Sequence, residues 1–96
     1  MPTKVTFECA CPTSVATVTV QRLDEPADTD GLVFKKSGSK SLDLTGGATY
    51  ALSCRVVGEP GTDFSLAVTK GAEMNAIERT LGPDGRAAAN RDLKVE

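Results

Sequence analysis

The run Leu44-Thr45-Gly46-Gly47-Ala48-Thr49-Tyr50, followed by Ala51-Leu52-Ser53-Cys54-Arg55-Val56-Val57, decides how this chain is read. From Tyr50 onward, Tyr50, Leu52, Cys54 and Val56 alternate with Ala51, Ser53, Arg55 and Val57. A period of two puts one set on each face of an extended strand, so the first set faces a core and the second faces water. Upstream, Leu42 and Leu44 keep the same period, and Gly46-Gly47 separates the two runs. A chain that turns through glycine and restarts as a strand is rounding a corner. Leu44 would plug the core before the corner. The Tyr50 ring would fill the core's end while its hydroxyl bonds a backbone group that the crossing leaves unpaired.

The same alternation spreads outward from this stretch. Val5, Phe7 and Cys9 oppose Lys4, Thr6 and Glu8, and a break follows at Pro12-Thr13-Ser14. Next, Ala16, Val18 and Val20 oppose Thr17, Thr19 and Gln21, with threonine suiting the pleated surface. Leu32 and Phe34 mark a third strand, and Leu42 and Leu44 a fourth. Gly58-Glu59-Pro60-Gly61 reads as a hairpin turn into Phe64, Leu66 and Val68, and a last strand lies near Leu93 and Val95. Between them, residues 72–81 have two readings. Met74, Ile77 and Leu81 have helical spacing ahead of Gly82-Pro83. Alternatively, Ile77 to Leu81 is a strand, paired through Pro83-Asp84-Gly85 with the residues after Arg86. The strand is preferred, because a hairpin continues the surrounding pattern.

The expectation is one all-β domain over residues 1–96, a two-layer antiparallel Greek-key sandwich of seven to eight strands. Its core would hold Val5, Phe7, Val18, Val20, Phe34, Leu42, Leu44, Tyr50, Leu52, Cys54, Val56, Phe64, Leu66 and Val68. The stretch from Lys40 to Thr69 resembles the last three strands of fibronectin type III and related immunoglobulin-like modules. Leu42, Leu44, Gly47, Tyr50, Leu52, Cys54, Val56, Gly58 and Gly61 carry that likeness. It implies an immunoglobulin-like sandwich with a tyrosine corner at Leu44 and Tyr50. Two departures stand beside it: tryptophan is absent, and some 25 residues follow the strand that would be last in such a module.

Composition narrows the chemistry. There is no histidine, which excludes Ser-His-Asp triads, imidazole acid–base work and histidine-ligated metals. Eleven Lys and Arg against thirteen Asp and Glu give a net charge of −2, which argues against sequence-independent nucleic-acid binding. No apolar run approaches the roughly 18 residues of a membrane span, so no membrane insertion is expected. The start, Met1-Pro2-Thr3-Lys4-Val5, lacks the apolar segment of a signal peptide. A cytoplasmic protein and a chain whose signal has been removed both fit.

Three sets of residues are candidates for chemistry. In the acidic loop, residues 24–31, Asp28-Thr29-Asp30-Gly31 has part of a calcium-loop pattern, to which Asp24 and Glu25 would add oxygens. Asp24, Asp28 and Asp30 are therefore the candidate cation ligands, with calcium the candidate ion. Pro26 occupies a position where a further ligand is expected, and a bidentate glutamate is missing downstream. Cys9, Cys11 and Cys54 are odd in number, so buried thiols, a disulfide from Cys54 to Cys9 or Cys11, and a redox or metal role all stay open. Thirdly, Lys4, Lys35, Lys36 and Lys40 would guard edge strands or mark an edge that accepts a partner strand. Carboxylates at Glu8, Asp43 and Asp63 fall on outward or turn positions, unlike a glycosidase pair. The expected function is a non-catalytic module for protein interaction, adhesion or assembly, acting on a protein partner or as a homo-oligomer. Cation-dependent ligand binding and thiol chemistry are its rivals.

Overall fold

A computed structural model of the chain describes residues 2–12 and 14–96; Met1 and Thr13 of the expected break lie outside them. The described residues form nine strands and no helix. In chain order these are β1 (Pro2–Ala10), β2 (Ser14–Arg22), β3 (Thr29–Phe34), β4 (Gly38–Thr45), β5 (Thr49–Gly58), β6 (Asp63–Lys70), β7 (Ala72–Glu73), β8 (Ile77–Thr80) and β9 (Arg86–Val95). They make a four-stranded sheet, β4-β1-β6-β8, and a five-stranded sheet, β3-β2-β5-β9-β7, with every pairing antiparallel. All-β architecture in two antiparallel layers is as expected, with nine strands in place of seven to eight.

The alternation explains why the sheets stack. Val5, Phe7 and Cys9 of β1 and Leu42 and Leu44 of β4 are buried from one side; Ala16, Val18, Val20, Leu52, Cys54 and Val56 are buried from the other. Phe7, Phe34 and Tyr50 are almost wholly buried in the same cluster. Each such side chain contributes roughly 1.5–3 kcal/mol of transfer free energy, which holds two thin layers together without tryptophan. Thirteen of the fourteen expected core residues are buried and Val68 is half-buried. Val68 pairs with Phe7 where the β1–β6 register shifts, and such an irregularity turns a side chain off the core face. Ile77, Leu81, Ala89, Leu93 and Val95 complete the core from the tail.

Two expected hairpins are corrected. The turn at Gly58–Gly61 leads from β5 in one sheet to β6 in the other, so these strands face each other across the core. Ile77 to Thr80 is a strand, as preferred over the helix, but it pairs with β6, while β9 pairs with β5 in the opposite sheet. The Pro83-Asp84-Gly85 turn is thus a crossing too. Its tightness comes from Gly85, at φ 73° and packed on the Gly58 carbonyl, whose amide donates to the Gly82 carbonyl at 2.9 Å. Of the consecutive strands only β2 and β3 pair directly, through the loop at 23–28. That loop is shorter than expected: Thr29, Asp30 and Gly31 already belong to β3.

Candidate functional site: two ends of one sheet

The acidic loop is built around Arg22, the last residue of β2. Its guanidinium bonds Asp24 twice, Nε to Oδ1 at 2.7 Å and Nη2 to Oδ2 at 3.3 Å, and reaches Glu25 Oε2 at 3.1 Å. Asp28 Oδ2 lies 3.9 Å from the same group. Asp24 holds the guanidinium charged, above its already high ordinary value, and Glu25 adds to this. The backbone is pinned as well. Arg22 N–H donates to the Asp28 carbonyl at 3.0 Å, Asp28 N–H to Glu25 at 2.9 Å, and Gln21 Nε2 to Pro26 at 3.0 Å.

Tyr50 ties this loop to the corner. Its hydroxyl accepts the Thr45 N–H at 3.0 Å and donates to Asp28 Oδ2 at 3.0 Å. The ring fills the core end beneath, beside buried Leu44. Asp30 is spent locally: its Oδ1 accepts the N–H of Gly31 at 2.8 Å. The candidate cation ligands are therefore already engaged within the chain: Asp24 by Arg22, Asp28 by Tyr50 and more distantly by the same Arg22, and Asp30 by the Gly31 amide. Among the described residues no cluster of three or more Asp, Glu or Cys is placed to hold a metal ion.

The cysteines lie in the core, all three buried and free. Burial pushes the Cys9 thiol far up, and a hydrogen bond with Cys11 and the nearness of Cys11 and Cys54 push the same way. Cys54 is pushed up to about 11, by burial first and then by Cys11. Reactive cysteines need a lowered pKa and access; Cys9 and Cys54 have neither, and Cys11 is buried with them.

The outer face of the five-stranded sheet carries a feature that sequence alone conceals. Register places Val15 of β2 directly opposite Val57 of β5, which in turn faces Arg86 of β9. One step along, Thr17 lies between Val33 of β3 and Arg55 of β5, with Ala88 beyond. Val15, Val33 and Val57 are 42%, 41% and 54% exposed, so three neighbouring strands share an apolar patch. Lys35 follows β3 at this end, giving Lys35, Arg55 and Arg86 as the charged border on the face. Toward the other end the face becomes Thr19, Ser53 and Asn90, then Gln21, Ala51 and Asp92. Beyond that lies the acidic loop with Leu23 at 56% exposure. Val33 and Val57 read as outward from alternation, but as isolated residues. Alternation does not single out Val15 at the start of β2, and only cross-strand register joins the three.

Of the four lysines expected at edges, Lys40 lies on edge strand β4 and Lys35 and Lys36 follow edge strand β3, but Lys4 lies on β1, inside the four-stranded sheet, and guards no edge. Because Arg22 N–H bonds the Asp28 carbonyl, the odd-numbered backbone groups of β3 point to the open edge. Lys40 Nζ bonds one of them, the Val33 carbonyl, at 2.6 Å and lies 5.8 Å over the Phe34 ring. Asp30 covers another at the Gly31 amide. On edge strand β8 Arg79 bonds the Glu78 carbonyl at 2.9 Å, and on the part of β9 that β7 leaves uncovered Arg91 bonds the Asn90 carbonyl at 2.8 Å.

No protein-family model, curated protein or solved structure matches this chain. Among the described residues, no helix is long and apolar enough to cross a membrane.

Proposed function

We propose that the chain is a non-catalytic, immunoglobulin-like β-sandwich module that works by protein interaction or assembly. The observation that carries this reading is the patch of Val15, Val33 and Val57 on the outer face of the five-stranded sheet, bordered by Arg55, Arg86 and Lys35. Three exposed valines on adjacent strands leave apolar area that a solitary domain gains nothing by exposing. An apolar centre with arginine at its margin is a composition suited to protein contacts.

The strand order supports the immunoglobulin-like part. In such sandwiches the second and fifth strands pair in one sheet, and the third and sixth in the other. Here β1 pairs with β4 and β2 with both β3 and β5, matching that framework if β1 is its second strand. Then β6 fills the first strand's place and β9 the last strand's, which accounts for the long tail. The Thr45–Tyr50 hydrogen bond, between the strands where a tyrosine corner belongs, supports Greek-key crossing at that point.

Cation binding ranks behind because the loop carboxylates already have protein partners, and thiol chemistry because the three thiols are buried. The test is a photoreactive side chain placed at Val57, or at Ala67 on the outward side of β6, in the cell that makes the protein. Covalent protein adducts at 57 and none at 67 are expected. Adducts at neither site, or equally at both, would overturn the proposal.

A further inference from the structure

We infer that the occupant of the valine patch is the acidic tip of a second copy of this chain, bound head to tail through Leu23. This deepens the interaction reading above and rests on it. The argument begins with charge. Asp24, Glu25 and Asp28 lie around Arg22 and Asp30 follows on β3, so residues 22–30 carry a net −3, while Asp92 and Lys94 of β9 at the same end of the face cancel each other. Lys35, Arg55 and Arg86 give the patch end of the sheet face +3; its acid neighbours, Glu59 and Asp84, lie in turns beyond the strand ends. Each surface also has apolar side chains: Leu23 on the tip and three valines on the face. The two surfaces are complementary in both respects.

Geometry makes the contact intermolecular. Val15 stands at the start of β2 and Leu23 just past its end, eight residues apart, a span of ~27 Å at the rise of an antiparallel strand. One molecule, 41 × 22 × 19 Å, cannot fold its tip back onto its own patch. The tip is preorganised as well. The Leu23 amide is tied to the Thr49 carbonyl at 3.1 Å, and Arg22 and Tyr50 hold the carboxylates in place, so little loop entropy is lost on docking. Because tip and patch are different surfaces, each copy has one of each to offer. Such a heterologous contact leads to rings or open chains of molecules.

The experiment uses sedimentation of the purified chain at concentrations up to about 1 mM, since so small an interface belongs to the weak class. Wild type should gain mass with concentration, and raising the salt from low to molar levels should weaken association by ~3-fold or more. Val57→Glu removes the patch and Leu23→Lys removes the tip, both at exposed positions, with circular dichroism verifying that each variant folds. Each variant alone should stay monomeric. Mixed, they should form a 1:1 pair that grows no further, because only one intact tip and one intact patch remain. A wild type that stays monomeric throughout, variants that associate as wild type does, or a mixture without the 1:1 pair would each overturn the head-to-tail contact. Those failures differ from failure of the interaction reading, which would show as absent adducts at position 57 in the cell.

Discussion

The Tyr50 hydroxyl accepts from the Thr45 amide and donates to the Asp28 carboxylate, so one oxygen joins the β4–β5 corner to the β2–β3 loop. Tyr50→Phe keeps the ring in the core and removes both bonds. A net hydrogen bond contributes about 0.5–1.5 kcal/mol, and more with a charged partner, so a loss of roughly 1–3 kcal/mol is expected. A shifted urea midpoint at unchanged slope would record it; a loss below a few tenths would mean that neither bond contributes. Glycine matters for a different reason. Gly71 takes φ 87° where β6 crosses to β7, and a Cβ there would run into the Lys4 carbonyl. Gly38 has open space and no positive φ. Gly71→Ala should therefore cost ~2 kcal/mol or more, while Gly38→Ala changes the thermal midpoint little. Equal effects at the two sites would refute the close-approach argument.

At the scale of strands, which residues face inward was legible, and which strand each one pairs with was not. Alternation in Val5–Cys9, Ala16–Val20 and Tyr50–Val56 reports a buried face, because water contact acts on each side chain separately. Gly58-Glu59-Pro60-Gly61 reports only that the chain reverses. A hairpin and a crossing between sheets use the same turn residues, and the choice between them depends on distant strands, here on β9 occupying the place beside β5. The brief helical spacing of Met74, Ile77 and Leu81 misled for a related reason: Ile77 and Leu81 are both buried, but from a strand and the crossing after it. Edge protection is also an element-level property. Lys40 covers the Val33 carbonyl on the open side of β3. Lys40→Ser leaves that edge with an unpaired acceptor beside exposed Val33, and its consequence is expected in aggregation more than in stability. Light scattering during prolonged incubation should rise sooner than for wild type, with the thermal midpoint nearly unmoved. Identical aggregation time courses would show that the lysine does not guard this edge.

For the molecule as a whole, the acidic character of the tip was legible because it is a local run of residues. Its architecture was not, since Arg22 and Tyr50 act on it only once the loop closes and the corner folds. The valine patch needs three strands in register, and that information exists only in the assembled sheet. The absence of histidine, by contrast, has a direct global consequence. With no imidazole to titrate, stability should be nearly flat around neutral pH, and the Cys9 and Cys54 thiols should set the alkaline limit. The ordinary value for Cys54 is 9.0, and in the fold it is pushed up to about 11. Between those two values the unfolded chain loses the proton while the folded chain retains it, so raising the pH favours unfolding. The stability is whole below about pH 9 and falls as pH rises through about 11, by roughly 2–3 kcal/mol for this thiol, with Cys9 acting in the same direction. Urea midpoints measured from pH 6 to 11 should stay level to about 8 and then decline. Cys54→Ala should start lower at neutral pH, because it leaves a small void, yet decline less steeply above pH 9. Equal alkaline slopes in the two proteins would mean that the Cys54 thiol is not what sets the limit.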